Sequence, residues 1–256
     1  MSALPQPDGW KNRYLLMGVG GAAVAAGFAY FACKLVRAAE ATHWLAAVIA
    51  LFAAVAFGIM AGGVITLLLG ATKLRGRYND TGTTLEAAPA AVWMVVMCTA
   101  LGLGGGLYLL FDDQVREDLP TMSSRDSGRL IVLVVISVIG AVYFLRNMSK
   151  GAPTLTLSPE GIDYRFPGDC AFTAAWDDIV DITGVPLTKR AKGTRPIIFE
   201  RADGTRAAVA HAGTWVPGGT ALYWLCRHYW QHPADRCELV SGAALQRLVS
   251  KGIPTA

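Results

Sequence analysis

Four apolar stretches, each about long enough to cross a lipid bilayer and none with an ionisable side chain in its centre, constrain this chain more than any other feature. A hydrocarbon core of about 30 Å needs roughly 20 apolar residues in a helix, because each residue rises about 1.5 Å. The stretches run at about 14–36, 44–71, 90–111 and 127–146, and the last has the shortest apolar centre, Leu130 to Leu145. A helix buried in a soluble protein is also apolar all round, but four in succession leave nothing polar to cover them. Between Tyr14 and Phe111 the charges are confined to two runs, 34–40 and 73–86. The 256 residues are 53% hydrophobic and 16% charged, against about 25% charged in a soluble domain. The fold class expected is therefore a helical membrane bundle over 1–148, followed by a small α+β domain over 151–256.

The flanks support spans. Trp10, Tyr14, Trp44, Tyr78 and Tyr143 lie near proposed ends, where amphipathic rings favour the interface. Lys11 and Arg13 precede the first stretch as in a signal peptide, but the run exceeds the usual h-region of about 7–15 residues. Tyr30-Phe31-Ala32 before Cys33 does not fit a lipoprotein cleavage site, so the segment is expected to stay. Lys11, Arg13, Lys73, Arg75, Arg77, Arg146 and Lys150 fall on one side; Lys34, Arg37, Arg116, Arg125 and Arg129 fall on the other. The bias places both termini in the cytoplasm.

Small residues four apart let helix backbones approach in lipid, so Gly58 with Gly62 and Gly102 with Gly106 are candidate packing seams, within the bundle or between protomers. Intramembrane proton relays, ion-coupled transporters and voltage sensors need ionisable groups inside the spans, and no Asp, Glu, Lys, Arg or His occurs between Tyr14 and Cys33, Trp44 and Ala71, Ala90 and Phe111, or Leu130 and Leu145. Handling of a lipid cargo stays open.

After Met148 the period changes. Thr154 to Leu157, a turn at Ser158-Pro159-Glu160-Gly161, and Ile162 to Phe166 read as a hairpin. Further strands are expected at about 171–176, 179–185, 196–200 and 205–210, with helices over about 220–231 and 242–250. The run from Leu155 to Ile162, followed by Trp176-Asp177-Asp178-Ile179, resembles the bacterial pleckstrin-homology-like (PH-like) domains appended to membrane spans in proteins of unknown function. The resemblance covers about 153–231 and implies a partly open β-barrel capped by a helix, in a bacterial plasma (inner) membrane protein; the alanine and glycine richness also points to bacteria. It implies no catalytic residue and leaves 232–248 unaccounted for. Trp176 is expected in the core.

Lys189, Arg190, Lys192 and Arg195 form a basic loop, a candidate contact for anionic headgroups at about 1 kcal/mol per cation, with a solvated loop as the alternative. His228 and His232 have a metal-compatible spacing, with Cys226 nearby and His211 distant, but no glutamate follows His228 and Pro233 abuts His232, so no metal is expected. Ser158, Ser241 and Ser250 sit in no nucleophile elbow, and Cys170 lies beside Asp169 rather than a base. The adjacent carboxylates at 112–113 and 177–178 diverge. The net charge of +4 shows no basic face for nucleic acid, and five unpaired-looking cysteines form no disulfide framework. The expectation is a non-catalytic anchor or scaffold without cofactor, its partners being membrane lipids, another protein or a second copy; the alternative is a subunit of a lipid-transport or envelope-biogenesis complex.

Overall fold

The structure, a computed structural model, describes residues 4–10, 14–68, 73–87, 90–115, 119, 124–166, 171–185 and 195–254. It divides into two compact units, and the chain passes between them four times: Tyr14–Leu69 with Pro89–Lys150 form a helical unit, and Met1–Arg13, Gly70–Ala88 and Gly151–Ala256 form a sheet unit.

The helical unit holds α1 (Tyr14–Glu40), α2 (Trp44–Leu68), α3 (Ala90–Leu110), the short α4 (Asp112–Val115) and α5 (Ser124–Met148). Four of these helices are long and apolar enough to cross a membrane. They pack in a row, α1 on α2, α2 on α3 and α3 on α5. Because α3 lies between two neighbours, adjacent glycines serve both contacts, since successive residues point about 100° apart. A Cβ at Gly104 would meet Phe52 of α2 at 2.9 Å, and one at Gly105 would meet Val134 of α5 at 2.8 Å. The residues singled out by four-residue spacing are placed differently: Gly58 faces the Phe28 ring and Gly102 faces Ser137, while Gly62 and Gly106 have nothing within 4 Å. A spacing-four pattern finds a single seam, whereas a helix flanked on two sides needs close approach at neighbouring positions.

In the sheet unit, β3 (Thr154–Leu157), β4 (Gly161–Arg165), β5 (Phe172–Ala175), β6 (Ile179–Thr183), β7 (Ile197–Arg201) and β8 (Arg206–Val209) follow the sequence periodicity, as do α6 (Thr220–Gln231) and α7 (Ala243–Ser250). Two further strands come from between the second and third apolar helices, where the sequence reading has only a loop. They are β1 (Gly76–Asn79) and β2 (Gly82–Glu86), and they extend the sheet to the order β1-β2-β3-β4-β5; β6-β7-β8 form a second sheet, and the two do not close into a barrel. Asn79 Oδ1 accepts from the backbone N–H of Thr81 and Gly82 at 3.1 and 3.0 Å, which fixes the turn. A side chain at Gly82 would collide with the Leu157 carbonyl.

β2 pairs antiparallel with β3, Thr83 opposite Leu157 and Leu85 opposite Leu155. Alternation then puts Thr83 and Leu85 on the core face, both fully buried, with Leu155, Leu157, Ile162 and Tyr164. The tail beyond α6 has its partner in this hairpin. A 3₁₀ segment, Pro233–Val240, offers the Leu239 carbonyl to the Thr83 hydroxyl at 2.6 Å. Tyr78 lies against Gly242, so its ring belongs to β1 rather than to a helix end at a bilayer interface. Trp10, also expected at such an interface, is 8% exposed in this core and donates Nε1–H to the Pro196 carbonyl at 3.0 Å. Trp176 is buried, its Nε1–H donated to the Ser158 carbonyl.

The free edge of β6 is covered by α6. Tyr223 and Arg227 donate to the Ile182 carbonyl, and Trp230 donates to that of Ile179. Helical spacing of i, i+4 and i+7 thus lays three donors along one strand edge.

Leu85→Ala is expected to cost the sheet unit about 2–5 kcal/mol, as large-to-small changes in cores do. Thermal unfolding of the full chain in detergent, followed by tryptophan fluorescence, should show a lowered midpoint, with little change for Leu103→Ala at a half-exposed site on α3. Equal midpoints for the two variants would contradict the placement of β2.

Candidate functional site

The two sheets leave an open seam where β5 ends one strand order and β8 ends the other. A cleft of about 460 Å³ lies there, lined by Phe172, Arg201, Thr205, Arg206, Ala207, Ala208 and Ala210. Ligand pockets typically span about 300–1,000 Å³. Alanines on β8 keep the wall low, and the cations at its rim are held in place. Arg201 donates to the Thr173 carbonyl of β5 at 2.7 Å and lies 5.9 Å from the Phe172 ring centroid. Its Nε is buried with no hydrogen-bond partner. Arg206 pairs with Glu200 at 2.6 Å and stays half exposed. This arrangement can accept a small anionic group, since two guanidinium groups stand beside an apolar floor. The sequence reading missed it because the lining comes from strands at opposite ends of two sheets, with no shared motif.

Of the expected headgroup-binding loop, Lys189, Arg190 and Lys192 lie outside the described residues. Arg195 is half-buried, has φ of 48° and donates to the Gly218 carbonyl at 3.0 Å. That bond ties the strand entering β7 to the turn that starts α6.

His228 and His232 stack with ring centroids 4.7 Å apart and planes inclined at 25°. Among the described residues no group of three or more His, Cys, Asp or Glu is arranged to hold a metal. His228 is buried, and its Nε2 lies 3.0 Å from Asp235 Oδ2 without the alignment of a hydrogen bond. Burial, together with the Arg247 and His232 charges, outweighs Asp235 and Glu238 and holds His228 below the ordinary imidazole value.

Beside it, Glu238 accepts two hydrogen bonds from Arg247, each at 2.6 Å, and one from the Tyr229 hydroxyl at 3.0 Å. The Arg247 pairing holds the Glu238 carboxyl below its usual range, while burial and then Glu238 push the Tyr229 hydroxyl up. This bidentate pair links the 3₁₀ segment to α7 and anchors both to α6, a positioning role.

Other chemically competent side chains are used locally. Ser158 and Ser241 bond within their own turns, and Ser250 reaches the Arg247 carbonyl at 3.5 Å. Asp177 pairs with Arg236, whose guanidinium lies over Trp176. Cys33, Cys98, Cys226 and Cys237 are free thiols; burial pushes that of Cys226 up to about 12. Cys170 lies outside the described residues. No family model, no curated protein and no solved structure matches this chain.

A pH dependence follows from His228. Its folded value lies below the ordinary 6.5, so the unfolded chain takes up a proton before the folded one does. Stability is unaffected above about pH 6.5 and declines as pH falls from there towards the folded value. Thermal midpoints of the sheet unit measured between pH 7.5 and 5.5 should decline for the wild type and flatten for His228→Gln. Parallel curves would show that His228 does not carry the effect.

Proposed function

We propose that the protein is a non-catalytic integral membrane anchor whose PH-like sheet unit binds anionic membrane headgroups. The observation that carries this reading is the seam between β5 and β8, where Arg201 and Arg206 flank an apolar floor in a cleft of about 460 Å³. Near a bilayer, each cation gains about 1 kcal/mol from an anionic leaflet, and a fixed guanidinium adds directional bonds to phosphate. The basic loop containing Lys189, Arg190 and Lys192 adds to the same attraction in this reading.

The four long apolar helices support a membrane setting, and the distribution of Lys and Arg favours both termini in the cytoplasm; the bacterial inner membrane rests on the PH-like resemblance and the alanine and glycine richness. The assembly of residues 4–10, 73–87 and 151–254 into one unit supports a common side for all three segments, since a bilayer cannot divide a folded sheet. The PH-like reading draws support from two antiparallel sheets followed by a helix, α6, along the edge of the second. A second reading, a subunit of a lipid-transport or envelope-biogenesis complex, is favoured by an apolar cleft among the helices that Ala53, Ala100 and Gly104 line.

Hydrogen exchange on the full chain in nanodiscs tests the headgroup reading. Anionic lipid should slow exchange at 172–175 and 206–209 relative to neutral lipid, and added salt should reverse part of the gain. Arg206→Gln should abolish the protection if the seam holds the headgroup. Joint replacement of Lys189, Arg190 and Lys192 by Gln should abolish it if the loop does. Identical exchange in neutral and anionic nanodiscs would overturn the proposal. Orientation is tested by a cysteine at position 123, which should react with an impermeant maleimide in intact cells; labelling only after permeabilisation would reverse it.

A further inference from the structure

Three of the four connections between the two units join the five-stranded sheet at one end. The antiparallel order β1-β2-β3 sets the start of β1, the end of β2 and the start of β3 side by side. The chain enters β1 from α2, leaves β2 for α3 and returns to β3 from α5. An extended residue spans at most about 3.6 Å, so Lys73 lies within about 18 Å of the end of α2, Glu86 within about 14 Å of the start of α3 and Thr154 within about 21 Å of the end of α5. Three short tethers thus keep this rim of the sheet close to the surface of a bilayer crossed by the apolar helices, and headgroups extend about 5–7 Å beyond the hydrocarbon core.

The rim is basic, and alternation along β1 decides which way its cations face. Leu74 packs on the core, a Cβ at Gly76 would meet Leu245 and Leu85, and Tyr78 lies against Gly242. Lys73, Arg75 and Arg77 alternate with these three and are exposed, so they line the opposite face. The Glu86 N–H donates to the Arg75 carbonyl at 2.9 Å, which carries the pairing past the end of β1. Arg75, Glu86, Thr154 and Arg165 therefore form one row across four strands. Asp163 is taken by Arg165 at 3.0 Å, and Glu86 lies 3.7 Å from Arg77. Lys73 and Arg75 have no acidic partner among the described residues. Charge is also polarised along the hairpin, with the cations at the tethered end and Asp80 at the turn. Edge strands carry cations to discourage pairing with other chains, but that purpose does not require them to gather at the end nearest the tethers.

We infer that this rim, centred on Lys73, Arg75 and Arg77, is a contact surface for the anionic headgroups of the bilayer in which the apolar helices sit. The attraction is one of charge, because the three side chains stand on an open strand face, and it falls off within a Debye length of about 8 Å at physiological salt. The inference rests on the membrane setting and the anionic leaflet of the reading above, and on none of the residues of the seam or of the 189–192 loop.

The test uses the full chain in nanodiscs, with its native cysteines replaced and a nitroxide on Thr154→Cys in the rim or, separately, on Asp80→Cys at the far turn. Power-saturation spectroscopy with a neutral nickel chelate reads how exposed each label is to water, without bias from surface charge. Replacing phosphatidylcholine by phosphatidylglycerol at low salt should lower the accessibility at Thr154→Cys at least twofold and leave that at Asp80→Cys unchanged, and raised salt should reverse most of the fall. Joint Lys73→Gln, Arg75→Gln and Arg77→Gln should abolish the fall, whereas the charge-conserving set Lys73→Arg, Arg75→Lys and Arg77→Lys should keep it. Arg206→Gln should also keep it, and the three glutamines should leave the seam's exchange protection at 172–175 and 206–209 intact, so that either site can fail alone. Equal accessibility in the two lipids would overturn the inference. A fall that survives the three glutamines, or that the charge-conserving set also loses, would overturn it as well, since the cations of the rim would then not be its cause.

Discussion

The pairing of β2 with β3 is the interaction on which the rest of the sheet unit depends. Without it, Leu155 and Leu157 would lose the cover of Leu85 and Thr83, and β3 would become an open sheet edge with a row of unpaired backbone groups. The Leu239 carbonyl would lose the Thr83 hydroxyl, and the 3₁₀ segment and α7 would lose the strands they lie against. The hairpin and the C-terminal tail thus stabilise one another across more than 150 residues of sequence, with two long apolar helices in between. A sheet domain of this construction is not an appendage on one linker. Its completion requires that the chain has already passed through α1 and α2 and, afterwards, through α3 and α5.

The same dependence explains what is legible from sequence. The apolar helices announce themselves by length and by the absence of charge, and the strands from β3 to β8 by alternation between turn signals. The β1–β2 hairpin does not, because its two strands carry only Tyr78 and Leu85 as large apolar side chains, so no apolar–polar alternation shows. Trp10 and Tyr78 mislead for a related reason. An aromatic residue near an apolar run fits a bilayer interface, and only tertiary structure shows that Trp10 is taken up by a core and that Tyr78 sits on a strand against Gly242 with its ring still partly exposed. The 3₁₀ segment after Pro233 is hidden because its support, the Arg247–Glu238–Tyr229 cluster and the Thr83 hydroxyl, comes from residues distant in sequence.

Site residues are less legible than the fold. The expected basic loop contributes one described residue, Arg195, and that side chain holds a backbone carbonyl. The seam at Arg201 and Arg206 owes its existence to two strand edges left apart, a property of topology that no local motif encodes. The cleft among the apolar helices likewise arises from the order in which they pack, and its small residues are indistinguishable in sequence from the glycines and alanines of ordinary helix contacts.

Cross-linking across the β2–β3 pair tests the central claim most directly. Thr84 and Thr156 are opposite one another, with hydroxyl oxygens 3.1 Å apart. In isolated membranes, a chain with its native cysteines replaced and carrying Thr84→Cys and Thr156→Cys should form an intramolecular disulfide on mild oxidation. The two halves should stay joined after proteolysis between α3 and α5 until a reductant is added. A control chain carries Asp163→Cys and Thr173→Cys, which face one another on β4 and β5. Halves that separate without reductant, under conditions where the control pair does oxidise, would contradict an inter-helix hairpin completing the C-terminal sheet.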